Sequence, residues 1–283
     1  SVKQFLLWLR IIRPGTLSAS IAPVSCGLCA ASASVRLDAL TAAATMLSAV
    51  AIQVLANLIN DLVDFRAGRD AAGRLGPRRA LAEGDVSQSG MENAVIVSFL
   101  FAVVPGAFLI WKGGAVILAI GVCALLFAWL YSATRFSLAD LGIADLAVFA
   151  FFGPVSSVGS AFLQTGSFVR GAFWPGVVCG LISMAVLTVN NIRDRESDRA
   201  AGKRTIVVRF GLSFGKIEYL ALFALCVPPI LMTDAKLCIA APAAGMILSF
   251  FVFRAHGRQF NRLLVLTGLV NILYAVLYIS VKR

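Results

Sequence analysis

The sequence predicts an all-α polytopic membrane protein of nine transmembrane helices, and three observations predict it. Hydrophobic residues make up 59% of the 283, charged residues only 14%, and the mean hydropathy is +0.89, a balance far from that of a soluble domain. A hydrocarbon core of roughly 30 Å takes about 20 apolar residues per helix, and the chain offers nine runs of that kind. The basic residues fall mainly in alternate connections between those runs.

The first fifteen residues, SVKQFLLWLRIIRPG, set Lys3, Arg10 and Arg13 around a short apolar stretch. They read as an amphipathic segment lying at the interface, with no cleavable signal peptide expected. The spans follow at 16–35, 39–62, 91–111, 114–133, 143–164, 171–192, 216–233, 236–253 and 263–281, so that 16–283 is one nine-helix bundle and 1–283 a single domain. Nineteen of the 25 Lys and Arg residues lie before the first span or after the second, fourth, sixth and eighth. By the positive-inside rule the N-terminus is then cytoplasmic and the C-terminus outside, in a cell (inner) membrane, as an odd number of spans requires. The net charge of +11 is thereby explained by topology, and no nucleic-acid partner is expected.

Of the fourteen acidic residues, eight lie in two cytoplasmic regions: Asp61, Asp64, Asp70, Glu83 and Asp85 after the second span, and Asp194, Glu196 and Asp198 after the sixth. The six cysteines sit in or beside apolar runs, and only Cys26 and Cys29 have metal or redox spacing; buried cysteine more often acts as a small hydrophobe. His256 is the single histidine and sits among arginines in a cytoplasmic loop, which argues against a His-based metal site and a Ser-His-Asp triad.

Residues three, four and seven apart share a helical face. In NLINDLVDFRAGRD this places Asn57, Asp61 and Asp64 in one stripe with Asn60 beside it, and in VNNIRDRESDRAAGKRT it places Asn190, Asp194 and Asp198 in another with Asn191 next to it. Hard oxygen donors at this spacing suit Mg²⁺, which binds through one or two carboxylates together with substrate phosphate. Arg78, Arg79, Lys203 and Arg204 are then placed to bind diphosphate oxygens. The plainer reading is a solvated, salt-bridged helix end. It accounts for one cluster better than for two with matching spacing, and carboxylates at a membrane boundary are functional by default.

These two stretches, with GPRRAL downstream of the first, resemble the two aspartate-rich motifs of the UbiA superfamily of intramembrane prenyltransferases. Within it, NNIRDRESDRAAGKRTIVVRFG together with GIADLAVFAFFGPVSSVGSAFLQTG most resembles the 1,4-dihydroxy-2-naphthoate polyprenyltransferases of menaquinone synthesis. The resemblance runs from WLRIIRPGTL to the last span. It implies a UbiA-type bundle around a central cavity, capped on the cytoplasmic side by the two Asp-rich regions, with a lateral opening for a lipid tail. It implies that Asn57, Asp61 and Asp64 on one side and Asn190, Asp194 and Asp198 on the other hold Mg²⁺, two ions in all, against a polyprenyl diphosphate. Asp70 closes the first loop, binds Lys203 or Arg204, or is an exposed loop carboxylate.

The implied reaction is transfer of the prenyl group to 1,4-dihydroxy-2-naphthoate with loss of CO₂, giving demethylmenaquinol. Metal and cations neutralise the leaving diphosphate so that the allylic C–O bond ionises. Tyr131 matches a position where the family often has a Tyr near the allylic carbon, and its ring faces the developing cation, or it is an aromatic-belt residue. Relatives of the naphthoate type commonly carry YTGGP where this chain has YSATR, so Arg135 departs from the pattern. Arg135 is the candidate for the acceptor carboxylate, and Asp64 or Asp70 for a phenol proton. Enzymes that prenylate 4-hydroxybenzoate or homogentisate share the same diphosphate machinery. An ion-coupled membrane transporter is the alternative of another class, though its carboxylates belong at the midplane; a structural subunit needs no paired clusters.

Overall fold

The computed structural model describes residues 2–68, 75–76, 79–131 and 143–282. Among them the regular elements are helical, as a chain must be when lipid offers its backbone no hydrogen-bond partners. Helix α1 (Val2–Ile12) meets α2 (Ser18–Ser32) through a tight turn at Pro14–Thr16, and α3 (Ala39–Arg66) follows. Next come α4 (Gln88–Leu130), then α5 (Ala144–Ala150) and α6 (Ser156–Thr165), joined by a wide turn at Phe151–Val155 that holds Pro154. The long α7 (Arg170–Ala200) leads to α8 (Ile206–Phe210), α9 (Leu212–Leu225), α10 (Val227–Leu231), α11 (Ala240–Arg254) and α12 (Gln259–Lys282).

By length and composition, seven helices among the described residues are apolar enough to cross a membrane, or eight if the pair α1–α2, bent by 57°, is one broken span. The expected count of nine is corrected accordingly. Residues 91–111 and 114–133, expected as two spans, count here as the single element α4, although the expected boundary coincides with a break in it at Gly114, and α2 alone has only 15 residues. At 1.5 Å per residue the 43 residues of α4 extend to about 65 Å if straight, twice the hydrocarbon thickness. Instead α4 turns back at Gly114, whose φ of 62° and ψ of −149° suit only glycine. Its first arm runs antiparallel to α3: Met91 packs on Leu58 and Leu62, the Ser48 hydroxyl donates to the Ala102 carbonyl, and Lys112 reaches Thr41. Its second arm returns along α3, from Ile117 against Ala44 to Tyr131 beside Asn57.

The centre of the bundle is α7, with 72% of its most apolar window buried against 11% for α4. Val178, Ile182, Ala185 and Val189 meet Tyr219 and Phe223 of α9 and Leu263, Leu264 and Tyr274 of α12. Between apolar helices in lipid the association comes from close van der Waals packing and polar contacts. A Cβ on Gly180 would stand 2.6 Å from the Phe149 carbonyl, and one on Gly27 would overlap Ser157 outright. The Tyr219 hydroxyl meets Thr267 at 2.8 Å and Asn271 donates to Ser183 at 3.2 Å, each contributing about 0.6 kcal/mol in such surroundings.

Candidate active site

The polar ends of α3 and α7 lie together at one end of the bundle. The α3 stripe begins one turn earlier than the sequence stripe, at Gln53, and continues through Asn57, Asn60, Asp61 and Asp64. Asn57, Asp61 and Asp64 are buried. The Asn57 amide donates to the Ile12 carbonyl at 3.1 Å and to the Thr16 hydroxyl at 3.2 Å, which ties the α1–α2 turn to α3. In that turn Arg13 is the only non-glycine residue with positive φ (58°) among those described, and its guanidinium donates to Asp61. Glycine would avoid this conformation's cost; on an arginine it is held by the surrounding contacts, here the ion pair to Asp61 and the Thr16 hydroxyl that donates to the Arg13 carbonyl.

Asp64 gathers cations from two other segments. Its Oδ2 accepts from Arg79 at 2.7 Å and from Lys203 at 3.0 Å, while Arg79 also lies 3.5 Å from Asp61. Lys203 stands in the turn after α7, its backbone N–H donating to the Asp198 carbonyl, and its ammonium is 3.9 Å from the Asp198 carboxylate. One lysine therefore faces a carboxylate from each aspartate-rich region.

On α7 the organiser is Arg193, which is buried. Its fork donates to both oxygens of Asp194 at 2.9 and 2.6 Å, to Asn190 at 2.7 Å and to Asn261 of α12 at 3.1 Å. Asn261 in turn donates to the Leu75 carbonyl at 3.0 Å. The planar guanidinium suits this many-partnered role in a way that lysine does not.

Between the two helix ends is a cavity of about 120 Å³ lined by Arg13, Asn57, Asn60, Tyr131 and Asn190 among others. It adjoins a larger, apolar one of about 250 Å³, and Ile52, Phe127 and Phe152 line both. Tyr131 packs edge-on against Phe127 with ring centroids 5.9 Å apart, and Phe127 stacks on Phe151. The chamber that carries these polar side chains thus borders the oily one at an aromatic neck.

Asn57, Asn60, Asp61, Asp64, Tyr131, Asn190, Asp194, Asp198 and Lys203 thus gather at this end. Asn191 is buried but is not among the cavity-lining residues, and Arg204 is exposed, its carbonyl accepting from Arg209. Asp70, Arg78 and Arg135 lie outside the described residues. Sequence reasoning missed Arg193 as organiser, Arg13, Gln53 and Asn261. Arg193 and Gln53 had a signal, standing three residues from Asn190 and four from Asn57 on the same faces; Asn261 had none.

No group of three or more His, Cys, Asp or Glu poised around one point occurs among the described residues, and Asp61, Asp64, Asp194 and Asp198 each face an arginine or lysine. The donor set nonetheless fits Mg²⁺. Its donors are carboxylate and amide oxygens, and the Asn60 Oδ1 is buried in the wall of the cavity without a hydrogen-bond partner among the described residues. Such hard donors, few in number and beside room for a phosphate, are the kind this ion takes.

A model described as the UbiA prenyltransferase family matches residues 20–262. The chain is 32% identical to the 1,4-dihydroxy-2-naphthoate octaprenyltransferase of Escherichia coli K12 over 77% of its own length and 76% of that protein's. It is also 32% identical to the 1,4-dihydroxy-2-naphthoate octaprenyltransferase of Mycobacterium tuberculosis, over 96% of this chain and 95% of the other. Among solved structures it resembles a UbiA homolog from Archaeoglobus fulgidus bound to GPP and Mg²⁺, with a TM-score of 0.64 at 19% identity, over 97% of this chain and 99% of that one.

Proposed function

The chain belongs to the UbiA prenyltransferase family, and from that premise we propose that this prenyltransferase moves a polyprenyl group from its diphosphate to 1,4-dihydroxy-2-naphthoate, releasing CO₂ and diphosphate and leaving demethylmenaquinol. The observation that carries the reading is the bridge of Lys203 between Asp64 and Asp198, which joins the two aspartate regions at the end of the bundle where Asn57, Asn60 and Asn190 line a cavity. The two naphthoate-prenylating relatives support the acceptor. Nothing in the comparisons favours the ion-coupled transporter.

In this reading the diphosphate sits between the helix ends, held by Arg13, Arg79 and Lys203, with Arg78 and Arg204 as further cations and Asn191 behind Asn190. Asp61, Asp64, Asn57, Asn60, Asn190, Asp194 and Asp198 are the residues that would hold Mg²⁺. When bound, Mg²⁺ supplies Lewis-acid neutralisation of charge on the departing diphosphate. The arginines and lysine exchange carboxylate partners for phosphate oxygens, so the helix ends beside the chamber, where four carboxylates stand against Arg13, Arg79, Arg193 and Lys203, have their donors in place before the charge arrives.

The tail extends through the aromatic neck into the apolar cavity. The allylic carbon then lies at the neck, where the ring of Tyr131 shields positive charge from water. A ring carbon of the acceptor forms the new C–C bond as the allylic C–O bond breaks, and the electron pair of the departing carboxylate restores the aromatic ring. Arg135 and Asp70 are proposed for the acceptor carboxylate and hydroxyl. The site faces the cytoplasm, with the N-terminus cytoplasmic, α1 lying on the membrane and the C-terminus outside.

The test is product mass from the purified protein in nanodiscs with geranylgeranyl diphosphate, Mg²⁺ and either 1,4-dihydroxy-2-naphthoate or 4-hydroxybenzoate. The expected product forms with the naphthoate, only when Mg²⁺ is present, and is lighter than the simple adduct by one CO₂. A carboxylate-retaining adduct with the benzoate alone would overturn the acceptor, and Mg²⁺-independent turnover would overturn the metal.

A further inference from the structure

We propose that Gln53 is the residue that selects for the acceptor's second hydroxyl, the one remote from its carboxylate; the inference rests on the naphthoate reading above. Gln53 is 8% exposed, its amide oxygen has no hydrogen-bond partner among the described residues, and it lines the polar chamber. A buried carbonyl acceptor without a donor carries a desolvation penalty that a ligand hydroxyl relieves.

Its height in the chamber decides which ligand group it meets. Gln53 stands one helical turn below Asn57, about 6 Å further from the Asp61 end at 1.5 Å per residue. Its neighbour Ile52 lines the apolar cavity as well as the polar one. The diphosphate end is fixed by Arg13, Arg79 and Lys203, and those cations also attract the acceptor's carboxylate. An acceptor ring that reaches the allylic carbon therefore enters with its carboxylate toward the cations and its far edge toward Gln53. Phe127 and Phe152 flank that level and offer apolar faces to a flat bicyclic ring. A hydroxyl on the far edge then donates to the Gln53 amide oxygen.

A site built around such a hydrogen bond rejects an analogue that lacks the hydroxyl far more strongly than an apolar wall does, because the protein's own acceptor stays unpaired. The experiment compares kcat/KM for 1,4-dihydroxy-2-naphthoate and 1-hydroxy-2-naphthoate in the wild type, Gln53→Met and Gln53→Asn. The wild type is expected to prefer the dihydroxy acceptor by at least about 100-fold. Gln53→Met, which keeps the length and apolar body, should reduce that preference to within about tenfold by lowering only the dihydroxy value. Gln53→Asn, which withdraws the oxygen but keeps a polar amide, should reduce it likewise, with the KM for the prenyl diphosphate unchanged in both. A wild type indifferent to the hydroxyl, or variants that keep its full preference, overturns the inference. If the wild type takes benzoates and no naphthoate, the acceptor reading fails on its own. Gln53 is then judged by 4-hydroxybenzoate against its methyl ether, with the same loss of preference expected and its persistence again overturning the inference.

Discussion

The two aspartate clusters look alike in sequence and are wired differently in space. At the end of α7 the carboxylate of Asp194 is held by Arg193, its chain neighbour, and the same guanidinium holds Asn190 one turn back. At the end of α3 the partners of Asp61 and Asp64 come from three separate segments: Arg13 from the α1–α2 turn, Arg79 from the stretch before α4 and Lys203 from beyond α7. Asp194, Arg193 and Asn190 are thus tied together on one helix, with Asn261 of α12 bracing the arginine from outside, and the first cluster is a meeting point. Ligand-driven rearrangement belongs to the side whose partners sit on connections, since these are the parts of a fold that move at least cost.

That contrast predicts that the clusters separate under mutation. Asp61→Ala should produce the largest effect on turnover, a loss of about 10³-fold or more if the carboxylate stabilises charge that develops only in the reaction. It should leave folding intact, because Arg79 keeps Asp64 at 2.7 Å and Arg13 is partly solvated. Steady-state kinetics beside thermal unfolding in detergent read both quantities. A protein that loses its fold with its activity would place Asp61 in the scaffold.

Asp194→Ala should also be inactive, yet its distinguishing effect lies in stability. It strands the Arg193 guanidinium, 4% exposed, among neutral amides, and breaking a buried pair in this way costs about 3–5 kcal/mol. The expected outcome is a lower unfolding midpoint than in Asp61→Ala at equal loss of activity. Equal stabilities would erase the difference drawn between the clusters.

The legibility of the two clusters from sequence follows the same division. Helical spacing brings Asn57, Asp61 and Asp64, and Asn190, Asp194 and Asp198, onto common faces without any knowledge of tertiary structure, and the structure sets them at one end of the bundle. Partners that arrive from far along the chain carry no such period. Arg13 is 48 residues from Asp61, and Asn261 is 68 from Arg193. The apolar runs were equally plain, and the boundary expected between 111 and 114 falls where the chain reverses at Gly114; their count was less so, because the first run is carried by a bent pair of helices and the third and fourth form one helical element. Arg204, next to Lys203 in the motif, is exposed, and its carbonyl accepts from Arg209, so adjacency in sequence does not give the two cations the same partners.

The smallest effect, and the one that tests most finely whether the first cluster is a substrate-responsive meeting point, concerns Arg13. Its left-handed backbone costs on the order of 1 kcal/mol for a residue with a side chain, a cost glycine does not bear. Arg13→Gly should therefore leave the unfolding midpoint unchanged or slightly raised, since the removed ion pair to Asp61 is offset by the relaxed turn. The prenyl diphosphate, however, loses one charge-assisted donor, so its KM should rise by about tenfold, while Arg13→Lys, restoring the charge without the fork, should recover part of that loss. A fall in stability with KM unchanged would mean that Arg13 only fastens the α1–α2 turn to α3. The first cluster would then be as much a scaffold as the second.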